Sequence, residues 1–187
     1  MNISHLLKDK ETLRLLLIKT INNKDISLAK SLIPLVQDPY LTYKFAHDLN
    51  QSLTTNEEDI IARDPQSSYL YARFIDKPFP KGEPIIATQA KDTFFYVAYV
   101  LKHKWEMGEE AISNDTYFAL AYTEEILKDR FLVWEPKLIN NRYWLNQYIK
   151  FLKKINKLND FLKDYPTLNI TISNWPEVKF ELEKNSS

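Results

Sequence analysis

Four glutamates, Glu57, Glu83, Glu109 and Glu135, recur at intervals of 26 residues. A column of carboxylates along one edge could hold cations or basic side chains. Glycoside chemistry asks for more, two carboxyl groups about 5–9 Å apart in a cleft, and a ladder of like positions supplies no cleft. The simpler expectation is that each Glu opens a short helix. There the positive end of the helix dipole favours it, and it can accept backbone N–H groups. No general acid or base is assigned.

The three histidines, His5, His47 and His103, fit no HExxH or other ligand spacing, so they are expected to be structural and no metal site is expected. The chain has no Cys, which excludes thiolate nucleophiles, disulfides and cysteine-ligated zinc and suits a reducing compartment. Its two glycines, Gly82 and Gly108, cannot build a phosphate loop, a GxGxxG turn or a nucleophile elbow. No catalytic residue and no cofactor is expected, and the reading is of a non-enzyme.

Lys77, Lys102, Lys104, Lys128 and Arg130 lie near the aromatic residues Trp105 and Phe131. Cations interleaved with aromatics bind single-stranded nucleic acid. A net charge of zero, from 25 basic and 25 acidic residues, weighs against that. The favoured reading places the cations at helix C-termini and the aromatics in the core.

The elements that must position these residues follow from the same interval. Leu53, Phe79, Trp105 and Phe131 share the 26-residue phase, as do Ile60, Ile86, Ile112 and Leu138, and Leu49, Ile75, Leu101 and Leu127. Tyr43, Tyr69 and Phe95 are aromatic in phase; so are Tyr96, Tyr122 and Tyr148. Units run over 38–63, 64–89, 90–115 and 116–141. Asp38-Pro39 and Asp64-Pro65 read as N-cap and first helical residue. A helix of about 13 residues with apolar i, i+3, i+4 spacing follows. Then come a loop and a second helix of about six residues that carries the Ile or Leu column. The glycines fall in the loop, where a positive φ is expected of them. Asn56 holds that place in the first unit and Trp134 in the fourth, where an altered loop is expected.

Such a unit cannot bury its own apolar face, so stacking is implied. The fold class expected is all-α: a short right-handed α-solenoid of 26-residue helix pairs with a small C-terminal β-hairpin. Residues 1–187 read as one domain. Residues 1–37 cap it with helices over 9–22 and 26–36, and residues 38–141 hold four repeats. One helix over about 143–164 closes it within 142–165, and residues 166–187 form the hairpin and tail. Alternation of Leu168, Ile170 and Ile172, then Val178, Phe180 and Leu182, suggests the hairpin. Charges interrupt the N-terminus, MNISHLLKDKETLRLLLIK, every few residues, and no apolar run is long enough to span a bilayer. Neither a leader nor a membrane contact is expected, and the location expected is cytoplasmic.

The unit resembles a repeat of proteins from large bacteriophages and giant viruses, which runs DP, YA, VLK, RF or RW, P-x-GE and IA. Matching residues are Asp64-Pro65, Tyr71-Ala72, Phe79-Pro80-Lys81-Gly82-Glu83 and Ile86-Ala87. Val100-Leu101-Lys102, Lys104-Trp105, Gly108-Glu109, Leu127-Lys128 and Arg130-Phe131 extend the match over about 38–140. The resemblance implies a viral helical scaffold with no activity, cofactor or catalytic residue, one that binds a protein of the host in the host cytoplasm. Nucleic-acid binding and a structural or assembly role in the virus particle stand as alternatives.

A solenoid binds along equivalent positions of successive units. Positions that vary between units are the candidates: Arg73, Tyr99 and Glu125 occupy one, and Lys77, His103 and Asp129 another. Trp134 breaks the glycine position, and an exposed Trp is a favoured contact residue; the competing reading has it filling a gap against the closing helix. Arg73, Tyr99 and Trp134 are the expected partner contacts.

Overall fold

The computed structural model describes residues 9–168, and these contain helices and turns but no strand. The chain divides into two compact units, residues 1–112 and 113–187. No helix among the described residues is long and apolar enough to cross a membrane.

The first unit opens with α1 (Lys10–Asn22) and α2 (Ile26–Val36), where the apolar spacing places them. There follow α3 (Pro39–Asp48), α4 (Thr55–Ile61), α5 (Pro65–Phe74), α6 (Glu83–Ile86) and α7 (Ala90–Tyr96). The last runs into a π-turn, Val97–Leu101, and α8 (Glu106–Ser113) comes next. The Asp-Pro starts are as expected: Asp38 accepts from Leu41 N–H at 2.9 Å, and Asp64 accepts from Ser67 N–H at 2.7 Å. Both prolines sit in the first turn, where no N–H is missed.

The long helices end differently from the expectation built on glycine. Lys24, Asn50 and Asp76 take φ of 59°, 50° and 51° just past α1, α3 and α5. In each case the next N–H reaches back to the last full turn: Asp25 to Thr20 O, Gln51 to Ala46 O and Lys77 to Ala72 O. That is the Schellman closure, which satisfies carbonyls the helix leaves orphaned. After α7 the closing residue is Lys102, with φ 60° and its N–H on Val97 O at 2.7 Å.

No glycine has a positive φ. Gly82 sits at φ −86° and ψ −17°, ordinary right-handed helix space. Its role is closeness. A Cβ there would lie 2.5 Å from Phe79 Cδ1 and 2.7 Å from Ser68 Cβ. At Gly108 a Cβ would overlap the Thr93 methyl and approach Trp105 Cε3 to 2.7 Å. The glycines let the loop aromatic lie flat on the short helix.

The core of this unit is continuous from helix to helix. Leu13, Leu17 and Ile21 of α1 meet Ala29, Leu32, Ile33 and Val36 of α2 and Leu41 and Phe45 of α3. A second cluster joins Ala46, Ile61, Tyr71, Ala72, Phe79, Ile86 and Tyr96. Each fully buried aliphatic or aromatic side chain contributes about 1.5–3 kcal/mol by leaving water. Helix α5 packs between α3 and α7, so their outer faces lie side by side.

The second unit holds α9 (Thr116–Tyr122), again running into a π-turn (Thr123–Leu127), then α10 (Glu135–Leu138), α11 (Arg142–Lys154) and α12 (Leu158–Asp164). The single closing helix expected over 143–164 is broken. Asn156 takes φ 58°, and Lys157 N–H closes the end of α11 on Leu152 O at 2.8 Å. Asn tolerates this left-handed state better than most residues. The altered loop expected at Trp134 is not found: its φ −87° and ψ −33° nearly match Gly82. Since the position needs no positive φ, Trp costs the backbone nothing. Its ring packs edge-on against Tyr148, 5.3 Å between centroids, and Tyr148 also meets Phe161 at 5.7 Å. Apart from Leu168, whose N–H donates to Tyr165 O, the hairpin expected near the C-terminus lies outside the described residues.

Candidate functional site

The glutamate column turns inward rather than forming an acidic strip. Glu57, Glu109 and Glu135 are 8%, 8% and 1% exposed. Glu57 completes a capping box with Thr54, and Glu83 and Glu135 each begin a short helix. Two of the carboxylates join a recurrent relay. In the first unit Phe79 N–H donates to Tyr96 Oη at 3.1 Å, and Tyr96 donates to Glu83 at 2.7 Å. In the second, Phe131 N–H donates to Tyr148 Oη at 3.0 Å, and Tyr148 donates to Glu135 at 2.7 Å. Burial, then the carboxylate, pushes both phenols far above their ordinary range. The relay satisfies the loop amide and the helix-opening acid together, a structural task for Glu83 and Glu135.

Two of the five basic residues, Arg130 and Lys104, are held in ion pairs. Arg130 makes a forked pair with Glu135 at 2.8 and 2.6 Å and reaches Asp164 at 2.7 Å. Lys104 pairs with Glu106 at 3.3 Å and Glu109 at 3.7 Å. Lys102 and Lys128 close helices in the left-handed conformation. Among the described residues no group of three His, Asp or Glu could hold a metal ion.

A different arrangement stands out on the outer face of α3, α5 and α7. Each helix places two residues one turn apart there: Tyr43 and His47, Tyr69 and Arg73, Phe95 and Tyr99. Spacing of i, i+4 puts each pair on one side of its helix, while Phe45, Tyr71 and Val97 fill the opposite, buried side. Tyr69 and Phe95 stack at 5.9 Å, and Phe95 meets Tyr99 at 5.9 Å. Arg73 donates from Nη1 to Tyr69 Oη at 3.0 Å, and its Cζ lies 4.8 Å above the ring of Tyr99. His47 stands between Tyr43 at 5.5 Å and Phe74 at 5.4 Å. Tyr40 continues the row at 6.1 Å from Tyr43.

Two depressions flank Arg73. One, about 280 Å³, is lined by Gln66, Tyr69, Phe95 and Tyr99; the other, about 320 Å³, by Tyr43, His47, Leu70 and Phe74. The bond to Tyr69 raises the Arg73 pKa further, so it is a permanent cation. On the rim, burial raises the Asp92 pKa against the opposing pull of Lys91. The face presents a fixed guanidinium among aromatic rings.

Of the three expected contacts, the structure brings Arg73 and Tyr99 together and leaves both exposed. Trp134 is only 1% exposed. The exposed Trp is corrected: its ring fills the interior beside Tyr148, the competing use of a large apolar side chain. Sequence reasoning assigned the Tyr43, Tyr69 and Phe95 column to the core, and there Tyr69 is buried while Tyr43 and Phe95 pack half-buried against it. The signal for the exposed residues beside them, His47, Arg73 and Tyr99, is their place four residues further along each helix.

Comparison of the chain with protein-family models, with curated proteins and with solved structures returns no match.

Proposed function

We propose that this chain is a non-enzymatic protein-binding module whose recognition face lies on α3, α5 and α7. The observation that carries the reading is the exposed Arg73 held by the buried Tyr69 and the exposed ring of Tyr99, within a row of half-buried aromatics. Aromatic residues and Arg dominate the energetics of protein interfaces because they bury much area at small entropic cost. The internal engagement of Arg130 and Lys104 supports a protein over a nucleic acid as the partner. Two of the five cations that would track phosphates are thereby held in ion pairs.

The architecture in this reading is a short α-solenoid. Its support is local. Left-handed closures fall at Lys24, Asn50, Asp76, Lys102 and Lys128, each 26 residues after the last. Contacts in the first unit run from α1 to α3, α3 to α5 and α5 to α7. An experimental structure in which Ile60, Ile86, Ile112 and Leu138 do not occupy successive layers would refute it. Following the repeat's resemblance, the source is viral and the partner is a host protein met in the host cytoplasm.

The test is affinity capture from the native host, identification of the captured protein and reconstitution from purified components. Binding that persists as salt rises, and that Tyr99→Ala abolishes without lowering the melting temperature, is the expected result. Binding that weakens steeply with salt points to phosphates instead. Turnover of a substrate that a single carboxylate or His substitution destroys would overturn the non-enzymatic reading.

A further inference from the structure

The aromatic row tells that something apolar is met; the charges on the face tell what accompanies it. Lys44 is paired with Asp48 at 2.5 Å, and Lys91 lines one depression beside Asp92. Arg73 makes no ion pair among the described residues; its neighbours are Tyr69, Tyr99 and Tyr43. A guanidinium has five N–H donors in a rigid fork, and one is used here, by Tyr69. The aromatic contacts hold the fork in place while leaving the charge uncancelled. A charge held ready in this way meets its counterion with less ordering to do.

We propose that the face takes a protein segment with an Asp or Glu between two apolar side chains, its carboxylate received by Arg73. This rests on the protein-binding reading above. Arg73 lines both depressions, so a carboxylate on its fork leaves the flanking side chains one to each side. One enters among Tyr69, Phe95 and Tyr99, and the other among Tyr43, Leu70 and Phe74. A carboxylate fits the planar fork with two parallel bonds. A nucleic-acid strand fits less well, because it needs cations in series, whereas here Arg73 and Lys91 share the face with the carboxylates of Asp48 and Asp92.

The experiment pans random peptides displayed on phage against the full chain, then measures an enriched peptide by fluorescence polarisation. The expected sequences carry one acid with apolar residues on both sides. Changing that acid to its amide lowers affinity for the parent about tenfold and changes nothing for Arg73→Gln. The control Lys30→Gln removes one distant exposed charge and keeps the parent's affinity. Circular dichroism and melting confirm each fold, and Arg73→Lys keeps the charge without the fork and falls between parent and Gln. The proposal is overturned by no enrichment, by enriched peptides without an acid, by equal amide effects on parent and Arg73→Gln, or by displacement with oligo-dT. A captured host protein that depends on Tyr99 but not on Arg73 removes the acid anchor and leaves the protein-binding reading standing.

Discussion

Replacing Gly108 with Ala adds one methyl at a position whose backbone is helical, within α8. If the glycine served backbone freedom alone, Ala would stabilise the helix by about 1 kcal/mol. The structure argues the opposite sign. The new Cβ would overlap the methyl of Thr93, a fully buried residue, and come within 2.7 Å of Trp105 Cε3 and 3.0 Å of Cζ3. Overpacking at such a site costs about 1–3 kcal/mol, so a net loss of about 1–2 kcal/mol is expected. That corresponds to a fall in melting temperature of about 2–8 °C for a chain of this size. Thr93→Ser removes the obstructing methyl and keeps the hydroxyl that donates to Ile86 O at 2.7 Å. Alone it leaves a small gap worth about 1 kcal/mol. Combined with Gly108→Ala it should recover stability, with a coupling of about 1 kcal/mol or more. Urea denaturation of the four proteins in the cycle reads this directly. Additivity within about 0.5 kcal/mol, or an Ala variant more stable than the parent, would refute close packing as the reason for the glycine.

Four further outcomes follow from other parts of the fold. Lys102→Gly, at φ 60°, should raise stability by about 0.5–1 kcal/mol because only Gly occupies this region without strain, while Lys102→Val should lower it; thermal melts decide. Tyr148→Phe removes the acceptor of Phe131 N–H and a donor to Glu135, and should cost about 2–4 kcal/mol in urea titrations. The pH dependence of the relay has a definite sign. Tyr96 and Tyr148 keep their protons to higher pH when folded than the ordinary value of about 10. Their contribution is therefore complete below about pH 10 and is lost as pH rises above it, because the unfolded chain releases those protons first. The fall in the parent's urea midpoint on the alkaline side should flatten in Tyr148→Phe; an unchanged slope would count against the relay. Trp134→Ala should cost about 3–5 kcal/mol, so any loss of partner binding in it must coincide with loss of helicity by circular dichroism.

By itself the sequence determined the helical class, the 26-residue interval and the helix starts. These are short-range matters: an apolar period of 3.6 residues, and an Asp side chain within three residues of the amide it caps. The left-handed closures were partly legible too, since Asn50, Asp76 and Asn156 are residue types that tolerate a positive φ. Lys24, Lys102 and Lys128 carry no such mark, because there the capping hydrogen bonds override a weak local preference. What the glycines are for was not legible. The methyl and ring that forbid a Cβ come from Thr93 and Trp105 in one case and from Phe79 and Ser68 in the other, and spacing along the chain does not measure that approach. The burial of Trp134 and the exposure of Arg73 were undecided for the same reason. A large aromatic side chain serves equally as plug or contact, and only the ring of Tyr148 lying 5.3 Å away settles its use. Arg73 and Tyr99 belong to one repeat position, but their meeting at 4.8 Å depends on α5 and α7 packing side by side. Tertiary structure turned two equivalent positions into one face.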